Sequence, residues 1–254
     1  MEKRTFESRL GDIWLWGEAD AFQDSRPIVL AITGAFNTQR SRIFDLQALL
    51  PEAAVLIGHL PGNHCPNLIS HSVGAYAAAY SEVVRGLARP VVAVGSSIGA
   101  LVTLAIRAPN LAGIVALEPP IRTGHLWPLV SDFRRRLREN PQDEQLKAFI
   151  WTVFGISADA HEDRTYANML AQLTTPTFVV FGSEPLFPQR PIDGRLPSLV
   201  DEPERALLRG HPSVRTVLVQ GAGHNLAAVA LDTVVDLAKH FLEPILDGDS
   251  ASGP

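Results

Sequence analysis

A serine at the centre of a glycine-flanked turn is the residue of this sequence best placed to act as a nucleophile. The segment Gly95-Ser96-Ser97-Ile98-Gly99 follows the apolar, β-branched run Val91-Val92-Ala93-Val94 and leads into helix-like residues 100–107. This pattern predicts a strand, a sharp turn with Ser97 at its apex, and a helix. Glycine at positions 95 and 99 removes side chains that would collide with the strand and the helix. The turn therefore exposes the Ser97 hydroxyl beside the Ile98 N–H, at a helix start suited to hold a developing negative charge.

A serine hydroxyl is a poor nucleophile at neutral pH and needs a base that takes its proton. His224 is the best candidate because it lies in the loop Gln220-Gly221-Ala222-Gly223-His224-Asn225, directly after a strand predicted over residues 214–219. The glycines at 221 and 223 give this loop the freedom to turn the imidazole inward. Ser97 and His224 are therefore predicted to act together.

These two segments resemble the α/β-hydrolase fold superfamily, in particular its serine esterase-like and thioesterase-like members with a short helical cap. The Gly-x-Ser-x-Gly turn between a strand and a helix, and the Gly223-His224 loop, carry the resemblance, which extends over residues 5–245. It implies a catalytic triad whose acid lies between the serine and the histidine in chain order. It also implies an oxyanion hole formed by the N–H groups of Ile98 and Ala35. Thr33 stands where the family commonly has a histidine, a change that leaves the main-chain donor in place.

The resemblance leaves two positions open for the acid. The family usually places it after the strand predicted over residues 177–181, near a Gly-x-x-Asp pattern, and this chain has Gly182-Ser183-Glu184 there. The rival is Glu118, at the end of the preceding strand, a position that some members use. We expect Glu184 to be the acid, because its longer side chain compensates for the shorter loop, with Glu118 as the alternative.

Buried strands and helices alternate along most of the chain. Apolar runs predict strands over residues 27–32, 54–58, 91–94, 113–117, 177–181 and 214–219, after an opening hairpin within residues 6–18. Helical spacing covers residues 42–50, 73–87, 100–107, 203–209 and 226–241. The pattern predicts an α/β fold with a mostly parallel, doubly wound sheet, which the resemblance identifies as the α/β-hydrolase type. Ligands bind at the carboxyl ends of such strands, where Ser97, Glu118, Glu184 and His224 lie.

An insertion interrupts this alternation after residue 120. It contains helix-like segments at residues 131–140, 143–154 and 164–173, and it resembles the helical cap of the family. We assign residues 1–120 and 174–246 to the hydrolase core, residues 121–173 to the cap, and residues 247–254 to a flexible tail. Phe36, Phe149, Trp151 and Phe154 are predicted to line the substrate pocket.

Composition restricts the remaining possibilities. The 254 residues carry a formal net charge of −5 with acidic and basic residues interspersed, which argues against a nucleic-acid surface. The single Cys65 excludes an intrachain disulfide and a thiolate metal site, and it lies outside any nucleophile turn. His59, His64 and His71 cluster in a loop without the spacing of a metal site. No segment has the pattern of a signal peptide or a membrane span, so a cytoplasmic location without a membrane partner is expected.

Together these features predict a serine hydrolase that cleaves a small carboxylic ester or thioester through an acyl-enzyme, without a cofactor or a metal. The expected partner is a small-molecule acyl substrate, and the chain is expected to be a monomer or a homodimer. The same residues suit hydrolysis of a carbon–carbon bond next to a carbonyl, or acyl transfer to an alcohol. A non-catalytic ligand-binding or sensory protein of this fold is a further alternative, because a fold does not select an activity.

Overall fold

The computed structural model describes residues 1–36, 42–192 and 194–250, over which the chain forms an eight-stranded sheet and a set of helices. The strands are β1 (Glu2–Phe6), β2 (Ile13–Gly17), β3 (Ile28–Ile32), β4 (Ala54–Gly58), β5 (Val91–Ser96), β6 (Leu111–Leu117), β7 (Thr177–Gly182) and β8 (Val214–Val219). The helices are α1 (Arg42–Leu49), α2 (Val73–Gly86), α3 (Ile98–Ala105), α4 (Trp127–Glu139), α5 (Glu144–Phe154), α6 (Ala167–Leu170), α7 (Glu202–Arg209), α8 (Leu226–Val229) and α9 (Leu231–Ser250). No helix within these ranges combines the length and the apolar character needed to cross a bilayer.

The strands follow the order β1-β2-β4-β3-β5-β6-β7-β8 across the sheet. β2 pairs antiparallel with both β1 and β4, whereas every neighbouring pair from β4 to β8 is parallel. The predicted α/β fold with a mostly parallel sheet is therefore confirmed. Because parallel strands end at the same edge, the loops after β3, β5, β6, β7 and β8 meet there.

Successive residues of the central strands contact two different hydrophobic cores. Leu30 of β3 belongs to a core that also contains Tyr80 of α2. Its neighbour Val29 belongs to a second core with Leu46 of α1 and Val234 of α9. A strand buried on both faces needs apolar residues at every position, which is why these strands are continuous apolar runs in the sequence. The helices packed on both faces of the sheet hold the strand ends in fixed relative positions.

Several elements differ from the predicted boundaries. β1 covers Glu2–Phe6, before most of the predicted hairpin of residues 6–18, and the helix predicted over residues 226–241 is divided into α8 and α9. Helix α4 begins at Trp127 rather than at residue 131, because Pro128 occupies its first turn and favours an earlier start. Helix α6 covers only Ala167–Leu170, since Thr165 instead forms a β-bridge with the segment before α4. Helix α9 continues to Ser250, through the first four residues of the predicted tail, and residues 251–254 lie outside the described part of the chain.

The turn around Ser97 leaves no room for side chains at its two glycines. A Cβ on Gly99 would lie 2.3 Å from the carbonyl oxygen of Ile32 and 2.5 Å from that of Thr33. A Cβ on Gly95 would lie 2.4 Å from the carbonyl oxygen of Gly99. These obstacles are main-chain atoms, which cannot move aside without displacing β3 or α3. The close approach of β3, β5 and α3 therefore requires glycine at both positions.

We expect Gly99→Ala to lower the free energy of unfolding by about 3 kcal/mol, because overpacking against main chain forces a strand or a helix to shift. Gly86→Ala is the matched control, since Gly86 ends α2 and a Cβ there meets no atom within 4 Å. This control should leave stability unchanged or raise it by about 1 kcal/mol. Urea unfolding of both variants measures the difference, and equal losses would contradict the packing constraint.

Candidate active site

Ser97 lies at the apex of the turn between β5 and α3. Its φ of 55° and ψ of −120° form a combination that residues with a side chain rarely adopt. The Ser97 N–H donates to the carbonyl oxygen of Leu117 at 2.8 Å, which ties the turn to the end of β6. Strain that the surrounding structure imposes in this way is typical of functional positions.

Ser97 and His224 line the same open cleft at the carboxyl edge of the sheet. The cleft has a volume of about 730 Å³, within the range of small-molecule sites. Its polar side chains include Arg195, Gln220 and Asn225. The loops after β3, β5, β7 and β8 all contribute to its lining.

His224 is oriented by a buried carboxylate, that of Glu118. The two atoms concerned, Nδ1 of His224 and Oε2 of Glu118, lie 3.4 Å apart. Because an ionised carboxylate can only accept, the contact places the imidazole proton on Nδ1 and leaves Nε2 as an acceptor. The N–H of His224 also donates to the carbonyl oxygen of Leu196 at 3.0 Å, which fixes the loop.

The carboxylate of Glu118 is completely buried and fully hydrogen-bonded. Oε1 accepts from the N–H of Gly182 and from the hydroxyl of Ser198, each at 2.7 Å. Oε2 accepts from the N–H of Leu199, also at 2.7 Å, besides its contact with His224. Burial of a carboxylate is unfavourable unless its oxygens find donors, so this set of bonds holds Glu118 in one orientation.

Glu184, the acid preferred from the sequence, pairs with a different residue. Its side chain is 45% exposed, and its carboxylate lies 3.4 Å from the guanidinium of Arg190. Its main chain supports the site instead, because its N–H donates to Ala222 and its carbonyl accepts from the N–H of Ser198. The preference for Glu184 over Glu118 is therefore corrected: the side chain that reaches His224 comes from the end of β6.

The two predicted oxyanion donors are Ile98, which directly follows Ser97, and Ala35. Ile98 is the first residue of α3, so its N–H has no partner inside the helix. The loop after β3 passes close to the nucleophile, since a Cβ on Gly34 would lie 3.2 Å from Cβ of Ser97. Ala35 follows in this loop and lines the cleft.

The predicted pocket residues do not line the Ser97 cleft. Phe36 and Phe149 contact each other edge to face, with centroids 5.5 Å apart, and line a separate cavity of about 400 Å³. Phe154 is buried against Phe149, and Trp151 lies 4.8 Å from the guanidinium of Arg164. The prediction that these four residues line the substrate pocket is therefore corrected: Phe36, Phe149 and Phe154 form a cluster of aromatic contacts, because clustering buries more apolar surface than lining a polar cleft.

Cys65 and the predicted histidine cluster lie outside the cleft. Burial raises the pKa of the Cys65 thiol to about 11, so the reactive thiolate is disfavoured at neutral pH. His59 and His64 contact each other with ring centroids 5.6 Å apart. His71 instead forms hydrogen bonds with Tyr76 and Gln145.

Sequence reasoning missed several residues of the site. Gln220 and Asn225 are the ends of the loop that carries His224. Because this loop follows β8 at the carboxyl edge of the sheet, both residues could have been predicted from the sequence. Arg195 and Ser198 lie between β7 and α7, in a segment without periodicity or a recognised motif. Only the folded chain brings these two residues to the site.

A pair formed by the partly buried His125 and the buried Glu204 joins the segment before α4 to helix α7. His125 Nε2 lies 3.2 Å from Glu204 Oε2, and Glu204 also accepts from the N–H groups of Arg122 and Asp201. Burial raises the pKa of Glu204. Burial lowers the pKa of His125, but the hydrogen bond with Glu204 and its charge outweigh burial and leave this pKa above its ordinary value of 6.5. Asp201 and Glu204 are also the capping box of α7.

We expect this pair to make stability depend on pH. Since folding raises the pKa of His125, the folded state binds the proton more tightly, and the stabilisation is complete below pH 6.5. This stabilisation is lost as the pH rises through the raised pKa of His125. Urea unfolding from about pH 6 to about pH 9 should show the stability difference between the wild type and His125→Gln shrinking as pH rises. A difference independent of pH would contradict the expectation.

Comparison with known proteins agrees with this geometry. The profile described as "Alpha/beta hydrolase family" matches residues 28–237, a range that includes Ser97, Glu118 and His224. The chain belongs to the α/β-hydrolase family. The resemblance seen in the sequence is thereby confirmed. No curated protein sequence matches this chain.

Solved structures with the same fold include proteins named for different activities. A thioesterase domain from the curacin biosynthetic pathway is 20% identical, with a TM-score of 0.62 over 94% of this hydrolase and 99% of that chain. A thermophilic esterase from Thermogutta terrifontis is 18% identical, with a TM-score of 0.64 over 96% and 99% of the two chains. The proline iminopeptidase of Mycobacterium smegmatis is 13% identical, with a TM-score of 0.64 over 96% and 98%. At such identities the similarity shows the fold alone.

Proposed function

We propose that this α/β hydrolase is a serine hydrolase that cleaves a small carboxylic ester or thioester through an acyl-enzyme. One observation carries the proposal: His224 lines the same cleft as Ser97 and has its Nδ1 against the buried carboxylate of Glu118. A serine, a histidine with a free Nε2 and a buried acid are the groups that activate a hydroxyl for attack on a carbonyl.

The proposed reaction begins when Nε2 of His224 takes the proton of the Ser97 hydroxyl as Oγ attacks the carbonyl carbon. The negative charge on the carbonyl oxygen is stabilised by the N–H groups of Ala35 and Ile98, and the start of α3 adds to this effect. Glu118 stabilises the imidazolium, which then gives its proton to the leaving alcohol or thiol. A water molecule, deprotonated by His224, attacks the acyl-enzyme and releases the acid.

The lining of the cleft supports a small substrate with polar groups. Arg195, Gln220 and Asn225 offer charge and hydrogen bonds, whereas the aromatic cavity under the cap lies apart from Ser97. A long acyl chain would have to cover polar side chains at the expense of their hydration. We therefore expect short acyl esters to be better substrates than long ones. Two relatives of this fold are named as an esterase and a thioesterase, which supports this class of bond.

Active-site labelling with a fluorophosphonate, followed by peptide mapping, tests the proposal. We expect one adduct, on Ser97, and turnover of p-nitrophenyl esters that falls from acetate to decanoate, with a burst of p-nitrophenol released as the acyl-enzyme forms. Cys65→Ser is the matched control and should label and turn over like the wild type. Saturable ester binding without labelling or turnover would overturn the proposal in favour of a ligand-binding protein.

A further inference from the structure

The hydroxyl of Ser198 contacts the oxygen atom of the Glu118 carboxylate that does not contact His224. Its Oγ donates to Oε1 of Glu118 at 2.7 Å. The same Oγ accepts from Nη2 of Arg205 at 2.9 Å and from the N–H of Val200 at 3.3 Å. Both lone pairs of Oγ are thus occupied by donors.

These two donors fix the direction of the Ser198 proton. A guanidinium and a peptide N–H can only donate, so the single Ser198 proton must point to an acceptor. The alternative acceptor is the carbonyl oxygen of Val200, at 3.3 Å. Oε1 of Glu118 is closer to Ser198 Oγ by 0.6 Å than the carbonyl oxygen of Val200 is, and a carboxylate is a stronger acceptor than a carbonyl. The Ser198 proton therefore points to Glu118.

Arg205 is held rigidly in this arrangement. Its Nη2 also donates to the carbonyl oxygen of Gly182 at 2.7 Å, and its Nε donates to that of Val200 at 2.9 Å. The N–H of the same Gly182 donates to Glu118. Arg205 therefore reaches the carboxylate through the Ser198 hydroxyl, and it also binds the carbonyl oxygen of the residue whose N–H donates to Glu118.

Arg205 also brings a positive charge to this network, because its guanidinium donates to the Ser198 hydroxyl. In the part of the chain that the structure describes, no lysine or arginine lies within 4 Å of the Glu118 carboxylate, which contacts Nδ1 of His224. A buried carboxylate without a direct cation depends on polarised donors for its orientation and its charge. Ser198, polarised by Arg205, is such a donor.

We propose that Ser198 and Arg205 are positioning residues of this hydrolase: Arg205 directs the Ser198 proton onto Glu118, and the bond holds Glu118 against His224. This inference rests on the proposed function, in which Glu118 and His224 activate Ser97. Neither residue touches the substrate. Their loss should therefore lower kcat and leave KM unchanged.

Kinetics of Ser198→Ala and Ser198→Thr test the proposal. We expect Ser198→Ala to lower kcat and the rate of fluorophosphonate labelling about tenfold, because one bond to a charged group is lost. Ser198→Thr keeps the hydroxyl and should recover kcat to within about threefold of the wild type. Arg205→Gln should also lower kcat.

Ser81→Ala is the matched control, because Ser81 is a buried serine of α2 whose Oγ accepts from the N–H of Arg107 and donates to the carbonyl oxygen of Ala77. The kcat of this variant should equal that of the wild type.

A spectroscopic readout separates this proposal from the proposed function. The Nδ1 proton of a histidine bonded to a carboxylate gives a proton resonance downfield of the amides, which His224→Gln assigns by its disappearance. We expect this resonance to move upfield in Ser198→Ala and in Arg205→Gln, and to keep its position in Ser81→Ala.

The outcomes are distinguishable. If Ser198→Ala keeps the wild-type kcat and an unmoved His224 resonance while Ser97→Ala is inactive, the positioning role is overturned and the hydrolase mechanism stands. If the wild type neither labels nor turns over, the proposed function fails, and the His224 resonance alone decides whether Ser198 positions Glu118. Should Ser198→Ala fail to fold, Arg205→Gln takes its place in both measurements, with Ser81→Ala as the control; an unchanged kcat and an unmoved His224 resonance in Arg205→Gln would then overturn the positioning role.

Discussion

Replacing Ser97 by alanine is expected to reduce kcat for p-nitrophenyl acetate by about 10⁴-fold or more. The reason is that no acyl-enzyme can form without Oγ, and the histidine and oxyanion donors then act only on a misplaced water. Alanine fits the turn, since the Ser97 side chain makes no capping hydrogen bond to α3. Steady-state kinetics measure the loss, and circular dichroism and thermal melting establish that the variant is folded.

Ser213→Ala is the control for this experiment. Ser213 lies just before β8, at the opposite edge of the sheet, where its hydroxyl donates to the carbonyl oxygen of Leu173. Its kcat should stay within about twofold of the wild type. Residual turnover of Ser97→Ala near the wild-type level would exclude Ser97 as the nucleophile.

The second large effect is expected at Glu118. Glu118→Gln should lower kcat about 10³-fold, because a neutral amide no longer stabilises the imidazolium of His224. The amide also brings an N–H₂ group into a site whose protein partners are all donors. If that group faces His224, the imidazole proton moves to Nε2, which can then no longer accept from Ser97.

Glu184→Gln is the discriminating comparison for Glu118→Gln. Because the Glu184 carboxylate is half-exposed and pairs with Arg190, its neutralisation should change kcat by no more than about twofold. Parallel measurement of kcat and KM for the two variants separates the two carboxylates. A large loss in Glu184→Gln together with wild-type activity in Glu118→Gln would reverse the assignment made from the structure.

Strand register explains why the end of β6 supplies the residue beside His224. β5 and β6 are parallel neighbours with Ser96 opposite Leu117, so the residues that follow them, Ser97 and Glu118, leave the sheet side by side. The Glu118 N–H donates to the carbonyl oxygen of Val180 at 3.0 Å, and its φ is 53°. This unusual backbone places the carboxyl group where the loops after β7 and β8 converge.

The features that local chemistry dictates could be predicted from the sequence. Gly95 and Gly99 mark the turn because only glycine fits against the main chain of β3 and α3. The central strands are apolar at every position because both of their faces are buried. Ser97 and His224 each follow a strand directly, so their place at the carboxyl edge follows from the parallel sheet.

The tertiary structure alone decided the features that depend on which distant segments meet. Glu118 and Glu184 both follow strands of the same edge, and the choice between them rests on donors from Gly182, Ser198 and Leu199 that surround one carboxylate and not the other. Likewise, the sequence does not distinguish whether the apolar residues of α5 line a cleft or pack together. In the structure, Phe149 of α5 packs against Phe36. Such choices lie beyond sequence patterns because a pattern records the local period of a segment, whereas burial and hydrogen bonding are set by the partners that folding brings to it.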